Sequence, residues 1–242
     1  MNAGFPILTV LVLVPLIAGI VLVAIKPLRA YAKVVGLVAS VAVLALAVYA
    51  LTMFDMGNAA TVQFTEQAPW SPAIGVSWAL GVNGLCLAMI LLATFLVPVV
   101  IIARDPGEGG PDWQWVSLVL VLESVMVAVF AARDVFLFYV LFEVMLIPVY
   151  FLVGRFGGPD RKRAAIKFLL YSLAGGLIML VGVVALYGYG PGGEQAYLVD
   201  TLAGNISASP VAENLLFLSF FIAFAIKAPM VPVHTWLPDT TQ

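Results

Sequence analysis

Long apolar runs, separated by short polar stretches, extend along almost the whole chain. A membrane-spanning helix needs about 20 mostly apolar residues. Seven stretches meet that requirement: 5–25, 31–54, 84–103, 113–132, 135–154, 164–187 and 212–233. Prolines, glycines and charged residues gather between them, as is typical of turns and loops. The pattern therefore predicts an all-α polytopic membrane protein with about seven transmembrane helices.

Composition agrees with a chain whose main solvent is lipid. Hydrophobic residues make up 63% of the chain and charged residues 10%, against about 45–50% and roughly 25% in soluble domains. The formal net charge of −2 gives no sign of nucleic-acid binding. Cys86 and His234 are the only cysteine and the only histidine, so the chain alone cannot ligate an iron–sulfur cluster or supply two haem histidines. We therefore expect no redox cofactor and no metal site within it.

The distribution of basic residues predicts how the chain crosses the membrane. If the N-terminus lies outside, Arg133 is the only basic residue on the outer side. The inner side then holds all the others that lie outside or at the ends of spans: Lys26, Arg29, Lys33, Arg104, Arg155, Arg161, Lys162, Arg163 and Lys167. Basic residues concentrate on the cytoplasmic side of membrane proteins, so we expect the N-terminus outside. The first span has no basic residue before its apolar core and is not expected to be a cleavable signal.

Three ionisable residues stand inside predicted spans, namely Glu123, Glu143 and Lys227. At about 1.5 Å per residue, all three fall in the middle third of a roughly 30 Å hydrocarbon layer or near its edge. A charge at that depth costs at least about 2.5–3.5 kcal/mol and needs a partner or a water-lined cavity. Two interpretations remain open. The charges form structural ion bridges between helices, or they form an ion relay.

Prolines beside two of these charges favour the relay. Pro148 follows Glu143, and Pro229 and Pro232 follow Lys227. Each proline denies a hydrogen bond to the carbonyl four residues earlier, and the carbonyls concerned belong to Val144, Ala225 and Ala228. We expect the seventh span to break just past its lysine. Broken helices at membrane depth occur where the backbone is buried in protein or lines water, as in ion pathways.

Lys167 and His234 are weaker candidates, each with an alternative. Lys167 begins span six on the predicted inner side and could feed protons from water, or it could be a snorkelling residue at a span end. His234 follows the predicted break and could pass a proton to the next span, since histidine can exchange a proton near neutral pH. It could equally be an interfacial histidine with a satisfied hydrogen bond.

Two long motifs carry a family resemblance. The segment 142–152, FEVMLIPVYFL, resembles the fifth-helix motif of the antiporter-like subunits of respiratory complex I. The segment 220–239, FFIAFAIKAPMVPVHTWLPD, is similar to their broken seventh helix. The MLIP and KAPMVP forms resemble the M-type (chain 4) branch more than the L- or N-type branches. The resemblance runs through the whole chain, and both motifs are specific.

The resemblance implies a proton-translocating subunit of NADH:quinone oxidoreductase, with fourteen helices in two inverted five-helix repeats. Glu143 and Lys227 then match the family's paired glutamate and pumping lysine, and Glu123 occupies a matching position on the fourth helix. Residues 1–112 would form helices one to three with an outer loop. Residues 113–242 would begin the first repeat, as helices four to seven. The family's remaining helices lie beyond Gln242 and are absent from this chain, so we expect that it does not pump alone.

The resemblance also implies where the other chemistry takes place. NADH, FMN, iron–sulfur clusters and quinone would be bound by partner subunits, and the neighbours would be L- and N-type subunits in a bacterial plasma membrane. The chain departs from the family at Asn83, where an aspartate is usual. Two other hypotheses remain. The chain could belong to a multisubunit cation/proton antiporter or a membrane-bound hydrogenase, or it could be a structural scaffold. The residues do not decide between H⁺ and Na⁺.

Overall fold

The structure, a computed structural model, describes residues 5–105 and 110–241. Its α-helices, in chain order, are α1 Ile7–Ala24, α2 Ala32–Met53, α3 Gly84–Ala103, α4 Asp112–Ala131, α5 Val135–Val144, α6 Leu146–Phe156, α7 Arg161–Tyr189, α8 Val199–Leu202, α9 Pro210–Lys227 and α10 Trp236–Thr240. Between α2 and α3, strands β1 Gln63–Ser71 and β2 Val76–Val82 pair in a two-stranded sheet.

The predicted number of spans is confirmed. Among the residues that the structure describes, seven helices are long and apolar enough to cross a membrane, with α5 and α6 forming one span over Val135–Phe156. The largest difference lies at the seventh span, which was expected to reach residue 233. Helix α9 ends at Lys227 instead, so the predicted break falls directly after the lysine.

The β-hairpin was not predicted. The outer loop predicted between the second and third spans instead contains β1, β2 and the short turn at Pro72–Ile74 between them. Gly75 closes this turn with φ 72°, a conformation that glycine adopts without steric cost. Short strands between long apolar helices carry a weak periodic signal, which explains why the sequence analysis missed them.

The chain divides into two compact units. The first contains residues 1–66 and 80–132, and therefore helices α1 to α4. The second contains residues 67–79 and 133–242, with helices α5 to α10. The resemblance implies a different boundary, at residue 112, where the first helical repeat would begin. Compact units do not test a repeat boundary, so this boundary stays a prediction.

Side chains outside the helices cap two spans of the first unit. The Glu66 carboxylate accepts hydrogen bonds from the backbone amides of Leu8, at 2.7 Å, and Thr9, at 2.9 Å. Negative charge at a helix N-terminus is favourable because the first amides point toward it. Asn83 accepts a hydrogen bond from the Cys86 amide and caps α3. Asparagine and aspartate are comparable N-caps, so the departure from the family at Asn83 preserves this role.

Asp134 fastens the start of α5 within the second unit. Its side chain is fully buried and accepts hydrogen bonds from the amides of Leu137 and Ser77, each at 2.9 Å. The first bond caps α5 and the second attaches β2. Burial raises the pKa of the Asp134 carboxyl, while hydrogen bonds from backbone amides act in the opposite direction. The residue therefore joins two elements at one turn.

Replacing Asp134 with alanine is expected to lower the free energy of unfolding by about 2 kcal/mol, because two amides lose their acceptor. Thermal unfolding of the detergent-solubilised protein measures the change. Asp200→Ala is the matched control, since the Asp200 side chain is 77% exposed and its pairing with Arg133 is worth at most about 1 kcal/mol. Equal destabilisation by the two variants would contradict the capping role.

Candidate ion-relay site

Glu143 lies beside an interruption of its helix. Helix α5 ends at Val144, Met145 separates the two segments, and α6 begins at Leu146. The interruption falls within the turn in which Pro148 denies a donor to the Val144 carbonyl, as the sequence predicts. The Glu143 Oε1 atom is buried and has no hydrogen-bond partner among the described residues. The carboxylate is therefore held at membrane depth without a fixed partner.

Lys227 is the last residue of α9, and its ammonium group faces aromatic rings. Its Nζ atom lies 4.6 Å from the centroid of the Phe142 ring and 5.9 Å from that of Phe168. No hydrogen-bond partner for this buried nitrogen occurs in the described part of the chain. A desolvated cation–π contact is worth roughly 2 kcal/mol. The rings thus partly offset the cost of burying the ammonium.

The fold brings Glu143 and Lys227 near each other without joining them. The two charges interact electrostatically, yet no nitrogen–oxygen distance between these two described side chains falls within 4.0 Å. An unjoined pair can form an ion bridge by a small movement, or exchange a proton through water.

Within residues 5–105 and 110–241, no group of three or more His, Cys, Asp or Glu side chains could hold a metal ion.

Gly176 of α7 is a further candidate site residue, one that the sequence pattern did not single out. A Cβ atom at this position would lie 1.9 Å from Glu143 Oε1 and 2.8 Å from Oε2, so only glycine leaves room for the carboxylate. The adjacent Gly175 faces α9, where a Cβ atom would lie 3.3 Å from the Ala223 Cα and 3.1 Å from the Ile226 Cδ1. Small residues within a span are typical of close helix packing, and this was the signal available. The two glycines let α7 pack closely against α5, which carries Glu143, and against α9, which carries Lys227.

The chain beyond Lys227 supplies hydrogen-bond donors to backbone carbonyls at the end of α9. The Ala225 carbonyl accepts a hydrogen bond from the Met230 amide at 2.9 Å, so the prediction that Pro229 leaves it without a partner is wrong. The amide one residue past the proline replaces the missing donor. The Trp236 Nε1 group donates to the Ile226 carbonyl at 2.9 Å. The break is thus an ordered turn that returns α10 toward α9.

Lys167 lies in a polar cluster with residues of the same returning segment. Its Nζ group donates to the Asp239 carboxylate at 2.8 Å and to the Thr235 carbonyl at 2.6 Å. The Thr235 hydroxyl donates to the Tyr171 hydroxyl at 3.0 Å. Nearby in sequence, His234 Nδ1 is buried and has no partner among the described residues. The cluster ties α7 to α10, and both interpretations of Lys167 and of His234 stay open.

Glu123 belongs to the first unit. Its side chain is 0% exposed, and neither carboxylate oxygen has a hydrogen-bond partner within the described residues. Helix α4 is held against α1 by two hydroxyls, since Ser124 donates to the Val12 carbonyl at 2.7 Å and Ser117 to the Gly19 carbonyl at 2.6 Å. Glu123 is thus a buried carboxyl group on a firmly packed helix.

Comparison with known proteins places this arrangement in a family. Residues 132–242 match the family described as NADH:quinone oxidoreductase/Mrp antiporter, transmembrane region. NADH-quinone oxidoreductase subunit M of Mycobacterium tuberculosis is 39% identical over 97% of this chain and 49% of its own length. The chain therefore spans about half the length of this curated relative.

Solved structures show the same fold. A chain of respiratory complex I from Thermus thermophilus with bound NADH superposes with a TM-score of 0.79 and 30% identity, over 96% of this chain and 46% of that one. A chain of the Mrp complex from Dietzia sp. DQ12-45-1b has a TM-score of 0.81 at 20% identity, over 96% and 25% of the two chains, which shows a shared fold alone. The chain is thus homologous to subunit M of NADH-quinone oxidoreductase over 97% of its own length, and its residues 132–242 match the NADH:quinone oxidoreductase/Mrp antiporter transmembrane family.

Proposed function

We propose that this chain is part of a proton-translocating membrane subunit of NADH:quinone oxidoreductase, and that Glu143 and Lys227 relay the proton. One observation supports the proposal above the others. A carboxylate and an ammonium lie at membrane depth in one compact unit, close enough to interact, and neither has a hydrogen-bond partner among the described residues. A purely structural ion bridge would be expected to be closed.

The relay works by changing the distance between the two charges. When the carboxylate approaches, it stabilises the ammonium form of Lys227. When the carboxylate withdraws or is neutralised, the ammonium is left in an apolar environment and tends to release its proton. Moving one charge across 100 mV costs about 2.3 kcal/mol. The change in electrostatic energy when the Glu143 carboxylate approaches or withdraws from Lys227 is of comparable size. The interruption at Met145 and the break after Lys227 are points at which the backbone can adjust.

The remaining candidates assist the relay. Lys167 and His234 exchange protons between Lys227 and its surroundings, and Glu123 is a further supporting carboxyl group on the fourth membrane-spanning helix. The prolines keep both helices interrupted beside the charges: Pro148, Pro229 and Pro232. The N-terminus faces out of a bacterial plasma membrane. NADH, FMN, iron–sulfur clusters and quinone are handled by other subunits, and the membrane neighbours are L- and N-type subunits.

A second candidate function is a subunit of a multisubunit cation/proton antiporter or membrane-bound hydrogenase. The family that residues 132–242 match also includes Mrp antiporters by its description, which supports this alternative, although the 39% identity to a subunit M favours the first function. The two functions share the Glu143–Lys227 pair. Two measurements distinguish these functions: whether proton transport is coupled to NADH oxidation, and whether proton transport depends on Na⁺.

Glu143→Gln in the full-length subunit tests the relay, because glutamine keeps the side-chain shape and cannot carry the charge. We expect normal assembly on native gels and loss of most proton pumping during NADH oxidation by membrane vesicles. Glu213→Gln is the matched control, since this carboxylate is exposed in the first turn of α9 and its loss should leave pumping unchanged. If Glu143→Gln fails to assemble while Glu213→Gln assembles normally, the scaffold hypothesis is favoured. Normal pumping by Glu143→Gln would exclude the relay.

A further inference from the structure

A groove of about 410 Å³ lies between the end of α6 and the start of α7. Its rim carries Arg155, Arg161 and Lys162, all exposed. One helical turn deeper, its wall is formed by Phe151 and Ile166, with 50% and 51% of their surfaces exposed. The groove therefore combines cationic groups at the end of two spans with apolar surface at membrane depth.

The rim cations are available to an external anion. No described residue that lines the groove is acidic. The ion pairs in the described part of the chain involve other basic residues. The segment 155–163 holds four basic residues and one acidic residue, Asp160. Asp160 lies outside the groove and borders a neighbouring cavity that Arg161, Lys162 and Arg163 also line. The segment keeps a net positive charge that its own carboxylate does not balance.

We propose that this groove binds an anionic phospholipid, with the headgroup phosphate at Arg155, Arg161 and Lys162 and an acyl chain against Phe151 and Ile166. Arginine binds phosphate through paired hydrogen bonds, and lysine binds it as a point charge. Basic pockets between spans on the cytoplasmic side recognise anionic headgroups. Inorganic phosphate shares the charge but would leave the apolar wall uncovered, so the wall favours a lipid. The assignment rests on the proposed topology, which puts this end of the spans on the cytoplasmic side, and not on the ion relay.

Native mass spectrometry of the full-length protein, equilibrated with equal amounts of phosphatidylglycerol and phosphatidylcholine, tests the site. Arg155→Gln/Lys162→Gln should weaken phosphatidylglycerol binding by about 30-fold, since each basic residue that contacts the headgroup contributes about a factor of 5 to anionic-lipid affinity. Lys26→Gln/Arg163→Gln is the matched control. It removes the same charge from exposed residues that do not line the groove, and it should retain binding.

Equal loss in the two double variants would overturn the site and indicate a diffuse basic surface. Two measurements on the unaltered protein test the assignment even if a variant does not fold. Inorganic phosphate should not displace long-chain phosphatidylglycerol, and displacement at comparable concentration would indicate a phosphate site instead. A short-chain phosphatidylglycerol should bind more weakly than the long-chain lipid, and equal binding would exclude the acyl contact with Phe151 and Ile166.

Discussion

Replacing Lys227 with alanine in the full-length subunit should abolish proton pumping and quinone reduction while the complex still assembles. The Lys227 Nζ atom has no hydrogen-bond partner among the described residues, so its removal leaves no described donor or acceptor unpaired. Assembly loses the contacts with the rings of Phe142 and Phe168, worth about 0.5–2 kcal/mol, and the electrostatic attraction to Glu143. The relay, in contrast, loses its proton carrier altogether.

Proton pumping in vesicles, with assembly checked by native gel, measures both effects. Lys26→Ala removes an exposed lysine outside the long helices and should pump at the unaltered rate. Assembly with normal pumping in Lys227→Ala would show that the buried lysine is structural, and the relay would be wrong. Failure to assemble, with Lys26→Ala intact, would support the scaffold hypothesis.

Gly176→Ala should slow proton pumping on the order of 100-fold without preventing assembly. The added Cβ would lie 1.9 Å from Glu143 Oε1, so the carboxylate must move by about 1.5 Å to reach the 3.4 Å of ordinary contact. A carboxylate at the end of a flexible side chain can move at small cost to folding. Displacement of a reacting group by about 1 Å can slow a reaction about 100-fold.

Gly182→Ala is the matched control on the same helix. Its Cβ would approach Ser219 Oγ at 2.0 Å and the Ser219 Cβ at 3.0 Å, which crowds α7 against α9 without touching Glu143. This variant should lose some stability and keep most of its pumping. Adding Glu143→Asp to Gly176→Ala shortens the side chain by one methylene and should partly restore pumping. Equal slowing by the two alanine variants, with no restoration, would assign the effect to helix packing.

Much of the fold follows from local properties of the chain. An apolar run of about 20 residues can satisfy its backbone in lipid only as a helix, so the seven spans are readable from the order of residues. The break after Lys227 is local too, because Pro229 lacks an amide hydrogen and cannot continue the helix. The depth of Glu143 and Lys227 follows from counting residues along their spans.

Tertiary structure alone decided which of these residues meet. Lys167 and Asp239 are paired at 2.8 Å across 72 positions of sequence, and no local pattern identifies such a partner. Gly176 is one small residue among several in α7, and its importance arises only because α7 packs where the Glu143 carboxylate points. The buried carboxylate of Asp134 likewise accepts a hydrogen bond from the Ser77 amide of β2, across 57 positions of sequence. Residue order thus determined the helices and the buried charges, because both depend on neighbours along the chain. Packing determined the site, because its contacts join residues far apart in sequence.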